Sequence, residues 1–275
     1  MLEISNIKIK DKQIPLKDEV ARHDVEEVRE LVEKNKESLE QMVVNIKDFG
    51  AKGDGVTDDF DAIQKCFDTI TDNTVVVFPP GVYSISKHPG TGTSRAILRR
   101  SNITLQGYGA TFQCDERSIF PIYVEPIGQV ENITVEGFRF IDSSPLAHYE
   151  PPYEETHGVT VKDTKGVKII NCTFVNIGDE GIDIIRCEDV EISGCVFDGT
   201  PYHYNSAGGA IGLNGVKHVT VHDNVIKNHM NEWTFSIHIE SSPGKDNSHI
   251  AISNNLIDSV DLGIYLNASG GYIQE

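Results

Sequence analysis

The chain is 275 residues long, 39% hydrophobic and 24% charged, enough for one large domain or a domain with a small appendage. Its 42 Asp and Glu against 24 Lys and Arg leave a formal net charge of −18, which argues against nucleic acid and anionic membrane surfaces as partners. No stretch approaches the roughly 18 apolar residues of a membrane span, so no membrane insertion is expected. Met1-Leu2-Glu3-Ile4-Ser5 has neither the basic start nor the apolar core of a signal peptide, so release by lysis or assembly into a particle is expected.

The first element, residues 1–17 with "ISNIKIKDKQIPLK", reads as a separate arm that could dock on another protein. Residues 18–43 then form a charged stretch without Gly or Pro. In it Val25, Val28, Val32, Asn35, Leu39 and Met42 follow a 3-4-3-4-3 spacing. That spacing is a heptad seam, in which Asn35 would fix register at some cost in stability. The alternative is one amphipathic helix lying on the rest of the molecule.

"NIKDFGAKGDGVTDDFDAIQKCFD" (residues 45–68) opens the main domain, assigned to 44–275. A helix is expected over 57–70, with Thr57 as N-cap and Asp58, Asp59 and Asp61 in its first turn, where the helix dipole favours anions. Phe60, Ile63, Phe67 and Ile70 give it one apolar face. "VVVFPPGVYSIS" follows (residues 75–86), and then the strand copies "NITLQG" and "NITVEG".

From there the chain repeats itself. "GVTV", "GIDI", "AIGL", "SIHI" and "GIYL" place Val159, Ile182, Ile211, Ile237 and Ile264 at separations of 23, 29, 26 and 27 residues. A second strand recurs in step as "VKII", "VEIS", "VTVH" and "IAIS". Short alternating β-branched strands at this period indicate a solenoid whose coils stack through parallel pairing at about 4.8 Å. The fold class expected is all-β, a parallel β-helix, with an N-terminal helical, coiled-coil stalk. Cys172, Cys195, Asn224 and Asn255 occupy one position in successive coils, and Phe174, Phe197, Ile226 and Ile257 another. The Asn ladder is expected to take the left-handed turn between strands. The five cysteines form no CxxC pair; buried thiols are expected, with no metal and no cofactor.

Residues 45–68 and 75–86 together resemble the opening of pectate-lyase-superfamily β-helix proteins, including tailed-phage tailspikes and preneck appendages. The resemblance implies a right-handed, pectin-lyase-like helix, commonly a homotrimer, that often binds or cleaves glycans. It also favours an oligomeric stalk over a helix packed on the domain.

"GDEGIDI" (residues 178–184) puts Asp179, Glu180 and Asp183 into seven residues. In the repeat the outward column reads Thr160, Asp183, Gly212, His238 and Tyr265, followed by Asn214, Glu240 and Asn267. Gly212 is expected to leave a gap between Asp183 and His238. Two loops carry Tyr202, Tyr204 and Trp233 to the same face. Carboxylates, an imidazole and aromatic rings in a groove suit carbohydrate, because glycoside hydrolysis takes one carboxyl as acid and another as base or nucleophile. Asp179, Glu180, Asp183 and His238 are therefore the catalytic candidates, with Asp179 and Glu180 as acid and base and Asp183 placing the water. Glu240, Trp233, Tyr202, Tyr204, Asn214 and Tyr265 are the substrate-binding candidates. These carboxylates are expected to point outward, so that their amides leave stability unchanged or slightly higher.

The turn also resembles that of polygalacturonase-type glycosidases, with Gly178-Asp179-Glu180 in place of Gly-Asp-Asp. The family's next His corresponds to Gly209, and its Arg-Ile-Lys to His238-Ile239-Glu240. Glu240 would repel a uronate, so a neutral glycan is expected; a strongly anionic one would need a bridging cation. The leading reading is a phage-type tail protein in a virion, its arm on other tail proteins and its trimeric β-helix hydrolysing a host-surface polysaccharide. The alternatives are a non-catalytic adhesin or adaptor and a bacterial polysaccharide lyase or glycosidase. The last readable strand, "GIYLNAS", starts a coil without a cap, so continuation beyond Glu275 or cover by another chain is expected.

Overall fold

The computed structural model describes residues 6–9, 12–15, 43–85, 94–114, 119–124, 130–142, 157–177, 180–199, 209–229, 235–241, 246–260 and 262–268. The chain divides into two units, residues 1–43 and 44–275. In the first, Asn6–Ile9 and Lys12–Pro15 pair antiparallel as a hairpin within the segment read as an arm. The heptad seam from Val25 to Met42 lies outside the described residues.

The second unit is a parallel β-helix built from three sheets. The first sheet has seven strands, from Ser94–Leu98 through Val159–Lys162, Ile182–Ile185, Gly209–Asn214 and Phe235–Ser241 to Leu262–Ala268. The second and third have eight each, ending at Ser248–Ser253 and Leu256–Val260. Every strand pairs in parallel with the strand at the same place in the next coil, so the sequence repeat and the sheet register are one thing. Val159 pairs with Ile182, Ile182 with Ile211, Ile211 with Ile237 and Ile237 with Ile264.

The missing eighth strand of the first sheet is replaced by the helix Phe60–Thr69, which follows a strand of the third sheet and precedes one of the second. Ile63, Cys66 and Phe67 on its inner face are buried in the core. Gln64 finishes the exposed strand edge: its Oε1 accepts from Ile97 N at 2.8 Å and its Nε2 donates to Ile97 O at 3.2 Å. An open edge is an aggregation template, and a side-chain amide here takes the place of a strand.

The start of this helix differs from the sequence expectation. Residues Asp54–Asp58 are a strand, and the helix begins at Phe60, with Asp59 at the cap position and no side-chain cap bond there. Asp59 is instead 1% exposed, and its two oxygens accept the Lys52 and Gly53 amides at 2.6 and 3.0 Å. Asp58 Oδ1 takes the Phe60 amide at 2.9 Å. The acidic run thus satisfies loop donors before helix donors, an equally good use of short carboxylate side chains.

The interior is a set of ladders. Phe112, Phe140, Phe174 and Phe197 stack with ring centroids 5.6, 5.0 and 4.8 Å apart, and Ile226 and Ile257 continue the column. In the second ladder Cys172, Cys195, Asn224 and Asn255 each donate to the equivalent carbonyl one coil back, those of Val135, Ile169, Ile192 and Val221. These asparagines do not take the left-handed turn. The residues just before them do, Asn171, Gly194, Asp223 and Asn254, with φ between 54° and 64°. Cys66, Cys172, Cys187 and Cys195 are free and buried.

Candidate functional site

The first sheet carries the column anticipated from the repeat: Thr160, Asp183, Gly212, His238 and Tyr265 pair in register. On either side of it Val159, Val161, Ile182, Ile184, Ile211 and Leu213 are buried. Alternation therefore turns the column toward the outer face.

Its contents differ from the expectation in two ways. Gly212 leaves no gap, because the Glu180 side chain folds back over it; a Cβ on Gly212 would lie 3.0 Å from Glu180 Cγ. Thr160 is fully buried, beneath His157. His157 stands two residues ahead of Val159, the place Glu180 holds ahead of Ile182 one coil later. Its Nε2 lies 2.8 Å from Glu180 Oε2, and its Nδ1 lies 3.5 Å from Asp183 Oδ2 and 3.0 Å from Thr160 Oγ1. The imidazole side chain is 9% exposed and both carboxylates are 14% exposed. At this burial two unbridged carboxylates would repel in a weakly screening medium, and the imidazole stands between them.

His157 is the residue that sequence reasoning missed. The signal is present in the repeat, since "THGVTV" aligns with "DEGIDI" and puts His157 in the place of Glu180.

His238 is not part of this cluster. It packs against Phe235 at 5.1 Å and Tyr265 at 5.5 Å between ring centroids, and Phe235 and Tyr265 stack at 4.3 Å. Strand spacing puts it two coils from Asp183, about 10 Å away. Tyr265 is 40% exposed, so this stack offers an aromatic surface on the same face. In the neighbouring column Asn214 Nδ2 donates to Glu240 Oε2 at 3.3 Å, and Asn247 Nδ2 donates to the Glu240 carbonyl at 2.8 Å. Asp179, Tyr202, Tyr204 and Trp233 lie outside the described residues.

One group of metal-ligand type occurs among the described residues, away from this cluster on the second sheet: Glu188, Asp189 and His218. Lys165 Nζ lies 3.4 Å from Asp189 and His218 Nδ1 lies 3.3 Å from it. The three belong to a ladder of exposed side chains in which Lys165 supplies the positive charge.

The likenesses to known proteins follow the fold. A family model described as "Rhamnogalacturonase A/epimerase, pectate lyase-like" matches residues 43–274. Alginate lyase 7 of Azotobacter vinelandii is 41% identical over 70 residues, 25% of this chain and 8% of that protein. Non-secreted LysM effector LysM19 of Penicillium expansum is 30% identical over 106 residues, 38% of this chain and 8% of that protein. The chain thus spans about 8% of the length of these relatives. Among solved structures, the family 28 exopolygalacturonase of Yersinia enterocolitica superposes with a TM-score of 0.61 at 16% identity, covering 83% of this chain and 55% of that one. The N-terminal fragment of bacteriophage phi29 gene product 12 gives 0.51 at 18% identity, covering 89% and 47%. These two show the β-helix, and the match over residues 43–274 goes further: the chain belongs to the rhamnogalacturonase A/epimerase, pectate lyase-like family.

Proposed function

We propose that the protein binds a neutral host-surface polysaccharide and hydrolyses it, with Glu180 and Asp183 as the acid–base pair. The observation that carries this reading is the placement of two carboxylates on different nitrogens of one imidazole, on the outer face of a sheet. Contacts to different nitrogens give the two carboxyls different surroundings, which suits a hydrolytic pair in which one gives a proton and the other takes one. Tyr265, stacked on Phe235 and beside His238, supplies a ring face on which a sugar can lie. Glu240 makes the neighbouring column acidic, which favours an uncharged glycan over a uronate polymer. The likeness to a bacteriophage gene product, together with the seam at 25–42, supports a trimeric virion tail component attached through its N-terminal arm.

The test is release of reducing ends from purified envelope polysaccharides, neutral and uronic, by wild-type protein and by Glu180→Gln and Asp183→Asn. Cleavage of a neutral polymer that falls about 100-fold in either amide supports the proposal. Equal rates in all three proteins, or a preference for polygalacturonate, would sink it. One feature favours a second reading, a non-catalytic adhesin: both carboxylates already have an internal partner in His157. Saturable glycan binding without any reducing-end release would select that reading.

A further inference from the structure

The imidazole of His157 faces two carboxylates and one hydroxyl, that of Thr160, which can donate or accept. Among the described residues the charged groups facing it are Glu180, from the turn ahead of Ile182–Ile185, and Asp183, on that strand. The strand Val159–Lys162 contributes the Thr160 hydroxyl, and Gly209–Asn214 contributes Gly212, which has no side chain. A neutral imidazole has one N–H and can donate to only one of two carboxylates; an imidazolium donates from both nitrogens. At 2.8 Å from Nε2 to Glu180 and 3.5 Å from Nδ1 to Asp183, with Thr160 Oγ1 at 3.0 Å from Nδ1, the doubly protonated ring has an acceptor at each end.

We propose that His157 is the positioning residue of this site: its ring, protonated at both nitrogens, spans Glu180 and Asp183 and holds them apart across Gly212. The inference rests on the proposed acid–base roles of the two carboxylates. It adds what keeps them in place and what their geometry depends on. Thr160, buried under the ring, sets its tilt. Glu180 Oε2 faces Nε2, so the proton that an acid must give would sit on Oε1, which lies over Gly212. When His157 loses its proton, the ring can donate to only one of the two carboxylates, so the arrangement that spans both is confined to the pH range of the imidazolium.

Two arms test this on the full chain. Long-range ¹H–¹⁵N spectra of the imidazole groups, assigned by comparison with His157→Gln, read the protonation state with no substrate present. The expected result is a pair of ring nitrogens with imidazolium shifts at neutral pH that collapse to the neutral pattern in Glu180→Gln/Asp183→Asn. Neutral-imidazole shifts in the wild type at neutral pH would overturn the proposal, whatever the activity. The second arm compares kcat and KM on the cleaved neutral polysaccharide. His157→Phe should lower kcat at least tenfold with KM within about twofold. His157→Gln, which can still donate to Glu180, should recover part of it but lose the alkaline limb set by the imidazolium. An unchanged pH profile in His157→Gln would also overturn it. If the wild type cleaves nothing, the hydrolytic reading fails, and the spectral arm alone decides the role of His157.

Discussion

At the scale of single residues, three cases have consequences that can be measured. Glu180 and Asp183 were expected to point freely outward, so that amides in their place would leave stability unchanged or raise it. The contacts to His157 reverse that sign. Removing one partner of a largely buried, charge-assisted contact costs about 1–3 kcal/mol, so Glu180→Gln and Asp183→Asn should lower the urea midpoint while the β-helix persists. A midpoint at or above the wild-type value would contradict the observed pairing. Gly212→Ala should be milder for stability and severe for the site, since its Cβ would push Glu180 Cγ from 3.0 Å; cleavage should fall at least tenfold with the fold intact. His229 is a third case. Burial pushes its imidazole down to about 4, against a weaker upward pull from Asp198. It therefore stays neutral in the folded chain, while in the unfolded chain it takes up a proton near pH 6.5. The unfolded state binds more protons between these values, so stability falls as pH drops from about 6.5 to about 4, by roughly 2–3 kcal/mol in all. Urea denaturation of His229→Gln across that window should show a shallower fall than the wild type.

At the scale of the element, the ladders were legible because each strand pairs with its own repeat, so a sequence period becomes a spatial column. That is why the Phe174, Phe197, Ile226 and Ile257 column and the Cys172 to Asn255 ladder followed from spacing alone. What could not be read was the path of a side chain off the repeat. Glu180 could have pointed to solvent, and only its return over Gly212 creates the contact with His157. The helix start was misread for a related reason, since Asp59 had two sets of backbone donors within reach and sequence does not rank them. The polar ladder gives a quantitative check. Asn224 is 1% exposed; its Oδ1 accepts from Cys195 N at 2.9 Å and its Nδ2 donates to Ile192 O at 3.0 Å and to Asn255 Oδ1 at 2.9 Å. Asn224→Ala strands buried polar groups and should cost roughly 2–4 kcal/mol by chemical denaturation. Asn224→Cys, which extends the thiol ladder and keeps a donor toward Ile192, should cost distinctly less.

The whole molecule combines an exposed apolar end and a seam, and both concern association. Ile264 and Leu266 in the last described coil are 49% and 45% exposed, whereas their counterparts one coil back, Ile237 and Ile239, are buried. Among the described residues nothing stacks on this coil. Such a surface favours contact but does not specify how many chains meet. The residues Val25, Val28, Val32, Leu39 and Met42 would do so, because an isolated helix of that length is marginal in water and a heptad seam is stabilised only by partner helices. The β-helix, by contrast, has its own closed core and a helix finishing its first edge, so it does not need the seam to fold. Light scattering on the full chain should therefore give about three times its 30.4 kDa mass. Deleting residues 1–42 should reduce the mass to a single copy of the shortened chain while the far-ultraviolet β signal remains. A full-length monomer at micromolar concentration would refute the stalk. A trimer that survives the deletion would place the association in the β-helix instead, with the exposed coil at Leu256 to Leu266 the first place to seek it.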